Sequence, residues 1–221
     1  MPAQIPLDLP AIEQSDRDDL VVSASNRVAT EAIDAWPHWR HNVLLVVGPE
    51  GSGKTHLSRA WAQIADAVHF EAGTGVPPGG NFRIVIDDID RTDIADAELF
   101  APINAARLGQ GWVLATSRLA PQALAGRLPD LVSRLKAAAR ADLQAPDDRL
   151  FEAILAKHFS DHQLLVDPGV LTYLAERIER SGSSARHAVT LLNRRALAEK
   201  SRITKPFVRR VLGEESDAFD V

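Results

Sequence analysis

Three mainly apolar runs stand out along the chain: Val43-Leu44-Leu45-Val46-Val47, Phe82 to Ile86 with Arg83 as its one polar residue, and Gly111 to Ala115. Each is short and rich in β-branched or aromatic residues, the pattern of a strand buried on both faces. Val68-His69-Phe70 and Ala141-Asp142-Leu143 read as two shorter strands. Between them the apolar spacing changes to three and four, the period of a half-buried helix. A first helix, capped by Ser23 or Ser25 and ended by Pro37, carries Val28, Ala32, Ile33 and Trp36. A second runs from Lys54 to Ala65 with Leu57, Ala60, Trp61 and Ile64 inward. A third lies within Asp93 to Leu108 on Leu99, Phe100, Ile103 and Ala106, and a fourth starts near Leu128 with Asp130 as its N-cap. Strands alternating with helices predict an α/β domain built on a parallel sheet.

From Asp147 the period is helical throughout. Phe151, Ile154, Leu155, His158 and Phe159 line one helix, and Val170, Leu171, Leu174 and Ile178 a second. Ala185, Ala188, Val189, Leu192 and Ala196 line a third, separated from the second by Ser181-Gly182-Ser183. Thr204 caps a short last helix with Phe207, Val208 and Val211. The division expected is a flexible tail over 1–20, a core over 21–146, a small all-helical lid over 147–213 and an acidic end over 214–221.

The first strand runs into Gly48-Pro49-Glu50-Gly51-Ser52-Gly53-Lys54-Thr55, a G-x-x-x-x-G-K-S/T phosphate loop. Gly48, Gly51 and Gly53 let the backbone turn its N–H groups inward, and the helix that opens at Lys54 adds the positive end of its dipole. Ser52 lies inside this cradle. Lys54 is placed to reach the outer phosphates and Thr55 to hold Mg²⁺. The strand from Phe82 ends in Asp87-Asp88. Set next to the phosphate-loop strand, as this reading has it, Asp87 would hold the metal and Asp88 polarise an attacking water. Thr116-Ser117-Arg118 ends the strand from Gly111 and reads either as a reach toward the terminal phosphate or as a capped turn.

The chain has 221 residues and a net charge of −5, which argues against a general nucleic-acid binder. It has no cysteine, so disulfide and thiolate chemistry are excluded. No apolar run approaches the roughly 18 residues that span a bilayer, and no signal-peptide pattern is present, so a cytoplasmic place and no membrane partner are expected. His158, His162 and His187 lack metal-ligand spacing and read as packing or surface residues. In the tail, Gln4, Ile5, Leu7 and Leu9 form either a groove-binding extended peptide or a free end with a few apolar residues.

Phosphate loop, acidic strand end, polar strand end and helical lid together resemble an AAA+ ATPase. Ser25-Asn26, Ile86-Asp87-Asp88-Ile89, Leu128 to Leu135, Ser184-Ala185-Arg186 and Pro206 to Leu212 resemble the DnaA-related branch, and most nearly its Hda-type members. That resemblance covers nearly the whole chain. It implies that Asn26, the phosphate loop and Arg186 bind ADP or ATP, with Arg186 sensing the phosphates from the lid. It implies that Arg134 is an arginine finger offered in trans, and that Gln4 to Leu9 docks on the sliding clamp of the replicase. The implied function is negative regulation of replication initiation by stimulating hydrolysis of ATP bound to DnaA, as part of a homodimer or higher oligomer and near the nucleoid. The expectation includes no helix-turn-helix domain after the lid and no direct sequence-specific DNA binding. An ADP-held adaptor without catalysis and a helicase loader are the alternatives. Two departures from the family pattern stand out. A Gly- and Pro-rich stretch precedes Phe82 where relatives have another helix, and Arg118 stands where relatives often place an acid. The second leaves the chain's own ATP hydrolysis weak.

Overall fold

The structure is a computed structural model and describes residues 20–219. Five strands form one parallel sheet: β1 (Val43–Val47), β2 (Val68–His69), β3 (Phe82–Ile86), β4 (Gly111–Ser117) and β5 (Ala139–Asp142), in the order β2-β3-β4-β1-β5. β1 pairs with β4 from Val43 opposite Val113 to Val47 opposite Ser117, and with β5 from Leu44 opposite Ala139 to Val47 opposite Asp142. All five residues of β1 are buried, which is why an unbroken apolar run encodes it. β4 intervenes between β1 and β3, so the acidic strand is not adjacent to the phosphate-loop strand as the sequence reading had it. The order of strands is set by helix crossovers and leaves no local trace in the residues.

Helices α1 (Arg27–Asp34) and α2 (Lys54–Ala65) cover one face. There Leu44 and Val46 of β1 meet Ala29, Ile33, Leu57 and Trp61. Helices α3 (Asp96–Arg107) and α4 (Pro129–Ala137) cover the other, where Leu45 and Val47 meet Leu99, Ile103, Leu131 and Leu135. Trp36, Trp39, Trp61 and Trp112 gather on the first face, Trp39 and Trp61 with ring centroids 5.0 Å apart. Trp61 is fully buried.

Several sequence expectations shift. Val28 and Ile64 are exposed, and their places are taken by Ala29 and Ala65, one position along the same helix. The N-cap position of α1 is Asn26, without a side-chain cap, not Ser23 or Ser25. Asp130 is not the cap of α4; Pro129 opens that helix, and Asp96 accepts the Leu128 N–H instead. The Arg127 guanidinium holds the same junction, donating to Asp96 and to the carbonyls of Ile89 and Thr92. β5 begins and ends before the span expected for it. No helix occurs over residues 70–81, between β2 and β3.

The helical part comprises α5 (Asp148–Asp161), α6 (Pro168–Ala175), α7 (Gly182–Glu199) and α8 (Lys205–Phe219) around their own core of Phe151, Leu155, Phe159, Leu174, Val189, Leu192 and Val208. Ser181 caps α7 by accepting the Ser184 N–H, so Gly182 and Ser183 begin the helix instead of breaking it. α8 is longer than the short helix expected. No helix among the described residues is long and apolar enough to cross a membrane.

Replacing Trp61 with alanine removes a large, fully buried side chain that packs against Trp36 and Trp39 in the core of the first face. It is expected to lower stability by about 3–5 kcal/mol, read from urea unfolding.

Candidate functional site

The phosphate loop begins where β1 ends, and its backbone is held at once by neighbouring strands. The Gly48 N–H donates to Ser117 O at the end of β4, and the Leu143 N–H donates to Val47 O. A Cβ on Gly48 would lie 2.7 Å from Leu143 O, so the close passage needs glycine. Gly51 and Gly53 take positive φ, 74° and 96°. Gly53 is the N-cap of α2 and offers no side chain, which leaves the first-turn N–H donors of that helix for an anion. Ser52 Oγ is buried with no hydrogen-bond partner among the described residues. A buried orphan hydroxyl at the mouth of a helix N-terminus fits a phosphate oxygen. Lys54 is buried, and its Nζ donates to the carbonyls of Gly48 and Pro49, both at 2.9 Å. Burial lowers the Lys54 pKa from its ordinary value, opposed by the nearby Asp88, Asp90 and Glu50 carboxylates. Thr55 is exposed in the first turn of α2.

Although β4 separates the strands, the end of β3 still reaches the loop. Asp87 Oδ1 accepts from Ser58 Oγ on α2 at 2.9 Å and from Thr116 Oγ1 on β4 at 3.1 Å. Its Oδ2 lies 3.4 Å from His69 Nδ1 at the end of β2. The Asp88 N–H donates to Thr116 Oγ1, and Asp88 sits in the left-handed region at φ 48°. Thr116 thus ties both acids to β4. Ser58 and His69 were not singled out in the sequence. Ser58 was legible in principle, as a polar residue on the inward stripe of α2; the His69 contact joins separate strands and leaves no local signal.

The strand end fits the capped-turn reading, with Ser117 Oγ accepting the Leu119 N–H at 3.1 Å, and it adds an ion pair at Arg118. Its backbone N–H and its Nε donate to the two oxygens of Asp90, at 3.0 and 2.9 Å, and Asp90's side chain is fully buried. Glu50 of the phosphate loop lies 3.8 Å from the same guanidinium. For Asp90, burial alone would raise the pKa, but the Arg118 N–H and guanidinium outweigh it and hold the carboxyl below its ordinary value.

The loop opens into a cleft between the sheet domain and the helical part, lined by Asn26, Gly51, Ser52, Gly53, Leu57, Leu143, Ile154, His158 and Arg186 among others. Ser181 closes it from above: a Cβ on Gly51 would come 2.4 Å from Ser181 Cβ. His158, half-buried, has its pKa lowered by burial and by the neighbouring Arg186. It lines the cleft, in keeping with the packing half of its sequence reading. Arg134 does not line it. It lies on α4 with its guanidinium 5.8 Å from the Phe100 ring centroid, and its Nε is buried without a hydrogen-bond partner among the described residues. Gln4, Ile5, Leu7 and Leu9 lie outside the described residues.

The Asp90 pair generates a pH dependence. A carboxyl that titrates lower when folded adds stability above its unfolded pKa of about 3.9, and that stability is lost as pH falls through the lower folded value. Asp90→Asn is expected to be less stable than wild type near neutrality and to lose less stability on acidification, read from urea midpoints between about pH 6 and about pH 3.

No family model matches the chain. The chromosomal replication initiator protein DnaA of Cutibacterium acnes is 27% identical over an alignment of 252 residues, covering 92% of this chain and 50% of that protein. The chain spans about half the length of the DnaA proteins it matches. Among solved structures, domain III of Thermotoga maritima DnaA superposes with a TM-score of 0.76 at 19% identity, covering 93% of this chain and 98% of that one. AMPPCP-bound DnaA from Aquifex aeolicus superposes with a TM-score of 0.72 at 18% identity, over 94% of this chain and 71% of that one. The parallel sheet with its helical lid is the AAA+ fold, and the chain is homologous to DnaA over the AAA+ nucleotide-binding domain.

Proposed function

We propose that this chain is an Hda-like negative regulator of replication initiation, which docks on the sliding clamp and stimulates hydrolysis of ATP bound to DnaA. The observation that carries the reading is the separation of two functions on one fold. Asn26, the phosphate-loop residues Gly51, Ser52 and Gly53, and Arg186 of the lid line a cleft suited to a nucleotide, while Arg134 stands outside that cleft on α4. A guanidinium remote from its own phosphates is available to a neighbour's. It is planar, always charged, and suited to the charge that develops on a transferring phosphoryl group.

In this reading the chain holds ADP or ATP. The phosphates lie on the N–H groups of the loop, with Ser52 Oγ and Lys54 as further donors. Thr55 and Asp87 would hold Mg²⁺, which supplies neutralisation of phosphate charge when bound. Ser58 and Thr116 both donate to Asp87 Oδ1, and Oδ2 lies 3.4 Å from His69 Nδ1, so the carboxylate is held in place at the end of β3. Asp88 orients water in any hydrolysis by the chain itself. Arg118, tied to Asp90 and Glu50, offers no acid at the end of β4. That favours a chain that keeps its nucleotide and acts mainly on a partner's, and it is also the observation that favours an ADP-held adaptor as the second reading.

Two outcomes test the proposal. With DnaA and clamp-loaded DNA, the wild-type chain is expected to accelerate ATP hydrolysis and Arg134→Ala to lose the acceleration. An arginine finger is worth about 10³–10⁵ in rate. Equal stimulation by both proteins rejects the finger and favours the adaptor. Replacing Gln4 and Leu7 together with alanine is expected to abolish binding to the immobilised clamp; retained binding removes the tail from the account.

A further inference from the structure

The cleft has two ends of different chemistry. One is the phosphate loop. The other is apolar, with Leu143, Pro146, Leu150 and Ile154 on one side and Leu20 and Val21 on the other. The first side belongs to β5's exit and to α5. The second belongs to a stretch without helix or strand, residues 20–23. An irregular stretch forms a defined wall only if something fixes its backbone.

Asn26 does this. It is 7% exposed, and both ends of its amide reach back to that stretch. Oδ1 accepts the Ser23 N–H at 2.8 Å, and Nδ2 donates to Val21 O at 2.7 Å. The far side of the stretch is anchored too. Ser23 Oγ and Ser25 Oγ lie 2.7 Å apart, and the Gln144 N–H donates to Ser25 O at 3.1 Å. Ser23 and Ser25 also hydrogen-bond the carboxylate of Asp147, the N-cap residue that accepts the Leu150 N–H at the start of α5. The two apolar walls are therefore joined to each other through Asn26, the two serines and Asp147. None of these bonds reaches the phosphate loop.

We propose that Asn26 is a positioning residue for the base of the nucleotide. It fixes Leu20 to Ser23 as one wall of a slot for a flat ring and acts on the ligand through that wall, leaving the phosphate end untouched. The inference rests on the nucleotide-binding reading of the cleft and adds a division of labour within it. Base affinity depends on Asn26, and polyphosphate affinity depends on Lys54.

The experiment is equilibrium binding to the full chain, measured by calorimetry with ADP, GDP and inorganic tripolyphosphate as separate titrants. Wild type, Asn26→Ala, Asn26→Asp and Lys54→Ala are compared. Asn26→Asp keeps an acceptor for the Ser23 N–H but turns an oxygen toward Val21 O, so it opens the clip with little change of volume. Both Asn26 variants are expected to weaken ADP about tenfold or more, the cost of one or two buried hydrogen bonds, and to narrow any preference for ADP over GDP. Tripolyphosphate affinity is expected to stay at the wild-type value in both. Lys54→Ala is expected to weaken ADP and tripolyphosphate together. Parallel losses of ADP and tripolyphosphate in the Asn26 variants, or unchanged ADP binding in both, overturn the positioning role. If wild type binds neither ADP nor tripolyphosphate, the nucleotide reading fails and the inference fails with it. If Lys54→Ala binds tripolyphosphate like wild type, the phosphate end is misassigned and the division of labour is overturned.

Discussion

Everything at the site depends on where the carboxyl end of β1 is held. A phosphate cradle works only if its N–H groups point inward before the anion arrives, and glycines cannot impose that direction on themselves. Here the direction comes from the sheet. Gly48 is bonded to the last residue of β4, and Val47 is bonded to the residue after β5. The loop is suspended between two neighbours of a central, fully buried strand, and the freedom of Gly51 and Gly53 is spent only after those fixed points. Five buried residues in β1 therefore do more than fill a core. They keep the loop's origin from moving.

The same strand ends concentrate charge. Asp87, Asp88 and Asp90 follow β3 in close succession, against Lys54 and Arg118, in a region where Asp90 has no exposed side-chain surface. Carboxylates so close repel one another unless each has its own donors. They have them. Ser58 and Thr116 hold Asp87, Thr116 meets the backbone of Asp88, and Arg118 holds Asp90 by backbone and side chain alike. Thr116 is central, because one hydroxyl donates to the first acid and accepts from the second. The β4 strand that separates β3 from the phosphate loop is also what connects them chemically.

How much of this could be read beforehand follows from distance along the chain. The phosphate loop, the strand before it and the helix after it are one local pattern, and the residues state it almost without ambiguity. Buried strands were legible for the same reason. Helix faces were legible to within one position: Val28 and Ala29 are both apolar, and period alone does not choose between them. What the sequence could not state is which residues meet from far apart. The β3–β4–β1 order, the His69–Asp87 approach and the Arg118–Asp90 pair join separate elements. Arg118 looked like a departure from a family pattern because its partner was invisible. The sequence points to Asn26 as part of the nucleotide site, but not to the bonds its amide makes to its own chain while it lines the cleft.

The placement of the aromatic residues has an optical consequence. All four tryptophans lie in the sheet domain, three of them around α1 and α2 and the fourth, Trp112, on β4 against Trp36. The lid holds none, and its sole tyrosine, Tyr173, has the Arg177 guanidinium 3.6 Å from its ring centroid. Indole emission is therefore a private signal of one half of the molecule, while helix dichroism sums over both. A lid that melts alone is dark to the first and visible to the second, so the chain carries its own means of telling the melting of its cover from the unfolding of its base.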